Sequence, residues 1–237
     1  MKDEYRIDYA EYDSEEVAKG SKVLDSVFDY GSTVDTTAYL NWRVQGKTNK
    51  EQFVLLGRAF LTSAYLQLNC CLEDNGDKSA DLLIFPIMFD VVHGIEVYEK
   101  AICASFSYLL GKERKVVEGG HNILQLSQTA SALIDEYSIG KKSRTTEQMK
   151  SAIGYVKNFT ENIYSKTNDM TFARYPLMKN GDGHFYTDTY ENETVDILKL
   201  KNQIVVVYHM LEFLYGLPEL EASLQVEYLA EYCKDWS

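Results

Sequence analysis

The stretch from Ile84 to Leu110 sets the strongest limit on what this chain can become. Apolar side chains fall at Ile84, Met88, Val91, Ile95, Tyr98, Ile102, Phe106 and Leu109, in steps of three and four residues. That spacing draws one apolar stripe down a helix of period 3.6 and is incompatible with strand alternation. Beside the stripe runs a polar row, His93, Glu96 and Lys100, spaced i, i+3, i+7 and therefore aligned on one face. A helix this long and this apolar needs covering, and the remaining chain reads as its cover.

Most of that cover is helical. Thr48-Asn49-Lys50-Glu51 has the spacing of a capping box, followed by Phe53, Leu56, Phe60, Leu61, Ala64, Leu68 and Cys71 at helical intervals. Asp74-Asn75-Gly76-Asp77 is a turn sequence. Pro86 either starts the central helix at Phe85 or kinks a slightly longer one. Gly111 closes that helix, and a third begins near His121, runs through Leu124, Ala130 and Tyr137, and ends at Gly140. Thr145-x-x-Gln148 reads as a second capping box, leading into Met149, Ile153, Val156, Phe159 and Ile163. Residues 193–215 form a long helix that Gly216 and Pro218 stop, with a short one after it. Ahead of all this, Ser14 caps a helix ending at Gly31, behind an arm bearing Tyr5, Tyr9 and Tyr12. The division is residues 1–47 as arm and helix, and 48–237 as an all-α, up-and-down bundle of antiparallel helices. A short ribbon near His184–Tyr190 is the one extended piece expected.

Composition narrows the function. The formal charge of −12 argues against general electrostatic binding of nucleic acid, which needs a basic surface. The nearest basic clusters are Lys112–Lys115 and Lys141–Arg144, both in loops. No apolar run reaches the roughly 18 residues of a membrane span, and the start of the chain is acidic, so a cytoplasmic location is expected. The four cysteines form neither a CxxC pair nor a secreted framework, and no metal site or cofactor is implied.

Residues 168–191 hold the densest chemistry. A long stretch without helical period inside a compact domain is commonly functional. It offers a guanidinium (Arg174), a phenol (Tyr175), an ammonium (Lys179) and an imidazole (His184), a set suited to phosphate binding and proton transfer.

Three segments, in order, resemble the HEPN superfamily of helical domains. They are Phe85-Pro86 through His93-Gly94-Ile95-Glu96 to Lys100-Ala101, then Gly120-His121-Asn122-Ile123-Leu124, then Ala173-Arg174-Tyr175-Pro176. The likeness spans roughly residues 80–215. It implies a dimerising helical bundle and roles in bacterial or phage conflict: toxin–antitoxin pairs, abortive infection, or nucleotide-binding partners of nucleotidyltransferases. Ribonuclease members carry Arg, four to six residues, then His, the His as general acid or base and the Arg on the scissile phosphate. Here Arg114 and His121 have six residues between them but fall before the second family helix. Arg174 and His184 lie nearer the expected place with nine residues between them.

Two functional readings follow. The first is a HEPN-like binding module, acidic and homodimeric, that meets a partner protein, RNA or a nucleotide in a defence or counter-defence setting. In it His93, Glu96 and Lys100, with Tyr175 and Lys179, contact the ligand, and Gly94 lets another backbone approach. Alternatively, His93 and Lys100 are bridged by Glu96 into a buried polar row that His121 touches. The second is a metal-independent ribonuclease using Arg174 and His184, or Arg114 and His121, in a dimer cleft.

Overall fold

The computed structural model describes residues 27–28, 30–112, 115, 120–141, 143–167, 170–187, 189 and 191–234, with side chains as far as Leu224. The tyrosine-bearing arm and the helix expected behind Ser14 lie outside the described residues. Among the described residues five α-helices make up an all-α bundle: α1 (Asn49–Glu73), α2 (Ala80–Leu109), α3 (Ile123–Tyr137), α4 (Arg144–Tyr164) and α5 (Ile197–Lys234). Among the described residues no helix is long and apolar enough to cross a membrane.

Helix α1 starts where its sequence says. Thr48 accepts the Glu51 N–H at 3.3 Å while the Glu51 carboxylate accepts the Thr48 N–H at 2.8 Å, satisfying two orphan donors reciprocally. Helix α2 begins four residues before the expected Ile84. Its entry is held by Asn75 and Asp77, whose carboxamide and carboxylate oxygens accept the N–H groups of Ala80 and Ser79. Pro86 therefore sits inside the helix. The acceptor it leaves unused is the carbonyl of Leu82, an exposed residue that water can serve.

Helix α2 is the axis of the core. Ile87, Val91, Ile95, Tyr98, Ile102 and Phe106 are fully buried against α1, α3 and α5. Helices α1 and α2 cross unusually closely. A methyl placed on Gly57 would lie 2.5 Å from the Tyr98 ring, and one on Gly94 would lie 2.8 Å from Leu61 Cγ. The backbone that Gly94 admits is thus that of α1, not a ligand's.

Paired contacts give each helix its direction. Residues 50, 58 and 69 meet 219, 212 and 201, so α1 and α5 are antiparallel. Residues 98 and 105 meet 212 and 219, so α2 and α5 run the same way. Contacts of Glu99 with Ser127 and Phe106 with Tyr137 likewise make α3 parallel to α2. Among the described helices, strict up-and-down alternation therefore breaks between α2 and α3, which run the same way.

Three local expectations need correction. The cap of α4 is Ser143, whose hydroxyl accepts the Thr146 N–H at 3.2 Å, so Thr145 lies inside the helix. Gly216 and Pro218 do not stop the last helix, and α5 runs through both as one element. Its far side is fastened by Glu219, which accepts from Lys50 and Ser105 at 2.7 Å each, and by Glu221, which accepts from Tyr137. Those contacts outweigh local propensity. Among the described residues the extended pairing is a single bridge between Leu177 and Gly183, upstream of the expected ribbon, two of whose positions (188 and 190) lie outside the described residues. Gly111 and Gly140 do close their helices, at φ +65° and +76°.

The Gly57 crossing gives a test of opposite signs. Gly57→Ala should lower stability by about 1–3 kcal/mol through overpacking against the buried Tyr98 ring. Gly154→Ala, on α4 with nothing within 4 Å of the new methyl, should raise it by up to about 1 kcal/mol. Urea midpoints at constant m-value measure both.

Candidate functional site

The polar row of α2 is assembled around Glu96. Its carboxylate accepts from Lys100 Nζ at 2.6 Å, lies 2.9 Å from His121 Nδ1, and sits 3.5 Å from His93 Nδ1. Glu96 and Lys100 are buried, His93 is partly open, and His121 is 87% exposed in its side chain. Asn122, which caps α3 by accepting the Gln125 N–H, fixes the chain next to His121 and so places that ring. Burial alone would lift the Glu96 carboxyl, but the hydrogen bonds from His93, Lys100 and His121 outweigh it and bring it down to about 2.

A second carboxyl lies one turn further on. Glu99 is fully buried, with the Ser127 hydroxyl donating to Oε1 at 2.6 Å and, among the described residues, no hydrogen-bond partner on Oε2. Burial pushes it up to about 8, with the Ser127 bond opposing and the Glu96 charge reinforcing. The two carboxyls thus differ in charge at neutral pH: Glu96 is ionised and Glu99 is neutral.

The row continues toward the loop through aromatic contacts. His93 stacks on Phe89 with ring centroids 5.5 Å apart and meets the edge of Phe60 at 4.6 Å. Arg174 lies over the other end of this series, its guanidinium carbon 5.7 Å from the Phe89 ring and 5.4 Å from that of Tyr175. Among the described residues no carboxylate pairs with Arg174. Three segments far apart in the chain therefore converge on one strip: Arg174 and Tyr175, then Phe89 and His93, then Glu96 with Lys100 and His121.

Other expected residues stand apart. His184 is buried, stacked on Tyr186 at 5.8 Å, with Nε2 unpartnered. Among the described residues no hydrogen bond, ion pair or ring contact joins it to Arg174, which is exposed. Lys179 occupies an exposed turn in which the Gly181 N–H donates to the Met178 carbonyl. Arg114 lies outside the described residues, so its pairing with His121 has no structural account. Of the basic loops, Lys112 is 2.5 Å from Glu136 and Lys141 is 3.5 Å from Glu221, which neutralises both. His209 is exposed, its ring edge-on to that of Tyr208.

Two features were missed. Arg58 on α1 makes two hydrogen bonds to Glu212 on α5, at 2.6 and 2.7 Å, and both groups meet the fully buried Tyr98 phenol. Residues so distant in the chain leave no local signal. Because Arg58 is 40% exposed, its ion pair contributes toward the surface range of roughly 0.2–1 kcal/mol. Satisfying the buried phenol matters more, since an orphaned one costs about 1–3 kcal/mol. Phe89 was legible: it lies four residues before His93 on the same face.

No protein-family description, curated protein or solved structure matches the chain.

The paired carboxyls predict opposite pH behaviour. The raised value of Glu99 contributes stability that is complete below the ordinary 4.5 and lost as pH rises through about 8. Glu99→Gln, neutral at every pH, should flatten that decline in thermal-unfolding scans. The lowered value of Glu96 contributes stability present above 4.5 and lost as pH falls through about 2. Glu96→Gln should cost about 3–5 kcal/mol at pH 7, because it leaves Lys100 buried without its counter-charge.

Proposed function

We propose that this chain is a HEPN-like helical module that binds single-stranded RNA or a nucleotide along the Arg174–His121 strip, within a bacterial or phage conflict system and together with a partner. One observation carries the reading: three segments far apart in sequence bring cationic or protonatable groups and aromatic rings into one line of contacts. Phosphates are bound by guanidinium and imidazole donors, and unpaired bases stack on rings such as Tyr175, which is 56% exposed. The setting in conflict systems rests on the resemblance alone.

The overall charge shapes how such binding would work. With a net −12 the body repels nucleic acid at long range, so affinity must come from the strip and not from a general field. The weak salt dependence of a few phosphate contacts follows. With Arg174 and His184 as its pair, the ribonuclease alternative requires the His184 ring to leave its stack on Tyr186 and reach solvent, so binding without cleavage is the reading favoured over that pair.

Fluorescence anisotropy of a labelled single-stranded RNA, at low salt, tests this. Arg174→Ala and His121→Ala should each weaken binding by about tenfold, roughly 1.4 kcal/mol. Arg174→Ala should also reduce the salt slope by about one phosphate contact. Absence of binding by the unaltered chain at micromolar concentration would remove the reading. RNA fragments that vanish with His184→Ala would restore the ribonuclease.

A further inference from the structure

A cavity of about 770 Å³ opens between the 170–187 loop, the start of α2, the end of α4 and the start of α5. It is separate from the strip: none of Phe89, His93, Glu96, Lys100, His121, Arg174 or Tyr175 lines it. Its size falls in the range of small-molecule sites.

The lining specifies the class of occupant. Phe85 and Tyr186 stand with ring centroids 5.3 Å apart and Phe172 packs beside them, so one wall is aromatic. That wall is held firmly, since the Tyr186 hydroxyl donates to the Phe172 carbonyl and His184 stacks on the Tyr186 ring. Asn158, Asn162 and Gln203 also line the cavity, the two asparagines exposed and Gln203 half-buried, and among the described residues their amides have no side-chain hydrogen bond. A carboxamide offers a donor and an acceptor side by side, which matches the edge of a heteroaromatic base.

The charged groups fix the other end. Lys166 is tied to Glu193 at 3.1 Å, and Asp196 is engaged by the Lys199 N–H at 2.9 Å as the cap of α5. The Lys199 ammonium has no carboxylate partner among the described residues. It stands in the first turn of α5, where the helix end favours an anion as well.

From the aromatic wall, the free amides and this one unpaired cation, we propose that the cavity binds a mononucleotide, its base among Tyr186, Asn158 and Gln203 and its phosphate on Lys199. The proposal does not depend on the strip binding RNA.

Isothermal titration of the full chain with AMP, GMP, CMP and UMP, and with the matching nucleosides, decides it. At least one monophosphate is expected to bind. Lys199→Gln should weaken it by about tenfold while leaving the nucleoside unchanged, as loss of one phosphate contact requires. Asn158→Trp, which fills the cavity from an exposed position, should abolish both; Lys199→Gln, a surface change, keeps the test valid should that variant not fold. Absence of heat with every monophosphate at about 1 mM, a free energy of only about −4 kcal/mol, overturns the proposal. So does binding that Lys199→Gln leaves intact. Binding lost with Arg174→Ala or His121→Ala but kept in Lys199→Gln would move the nucleotide to the strip, overturning the cavity site and leaving the strip reading standing.

Discussion

The close crossing of α1 and α2 at Gly57 and Gly94 is the constraint on which the other arrangements depend. Without side chains at those two positions, the Tyr98 ring lies against one backbone and Leu61 against the other. The same approach brings Phe60 onto His93 and Arg58 within reach of the Tyr98 hydroxyl. A wider spacing would break the aromatic series of the strip and orphan a buried phenol in one stroke. Packing and candidate chemistry thus share a single geometric cause.

Within that frame, α2 carries an uncommon density of buried ionisable groups. Glu96, Glu99 and Lys100 lie within five residues, all but hidden from solvent. The arrangement is stable because each is resolved differently. Glu96 is shared among three proton-bearing neighbours, Lys100 is neutralised by Glu96, and Glu99 escapes the desolvation cost by keeping its proton. Two identical side chains one turn apart are driven to opposite protonation states by what surrounds them, one facing donors and the other facing Ser127 and the core.

Much of this was legible in the sequence, and the failures share a cause. The stripe of α2, the box at Thr48 and the glycine closures of α2 and α3 are local signals, and they read directly. The row His93–Glu96–Lys100 was visible for the same reason, since helical spacing alone aligns it. Pro218 misled because its local effect is real but smaller than the anchoring that Glu219 and Glu221 receive from Lys50, Ser105 and Tyr137. Proximity in sequence does not say which way each side chain of the loop faces: His184 is turned inward and Arg174 is exposed. The Arg58–Glu212 contact and the cavity walls depend on elements that meet only in three dimensions, and no periodicity encodes them.

The direction of α5 has a consequence for the order in which the molecule is made. Its contacts reach back to the first helix, Glu212 to Arg58 across 154 residues and Glu219 to Lys50 across 169. Such distant closures come late, since the ends of a long loop must first be brought together. As the chain leaves the ribosome, α1 and α2 can zip at their glycines, and every residue of the strip from Phe60 to Tyr175 is synthesised before α5 starts. One side of α2 stays bare through that interval, with Tyr98 and Ser105 waiting for their carboxylates. Synthesis of the last helix seals the core and completes the cavity wall together, so a nascent chain would hold its strip before it could hold anything in the cavity.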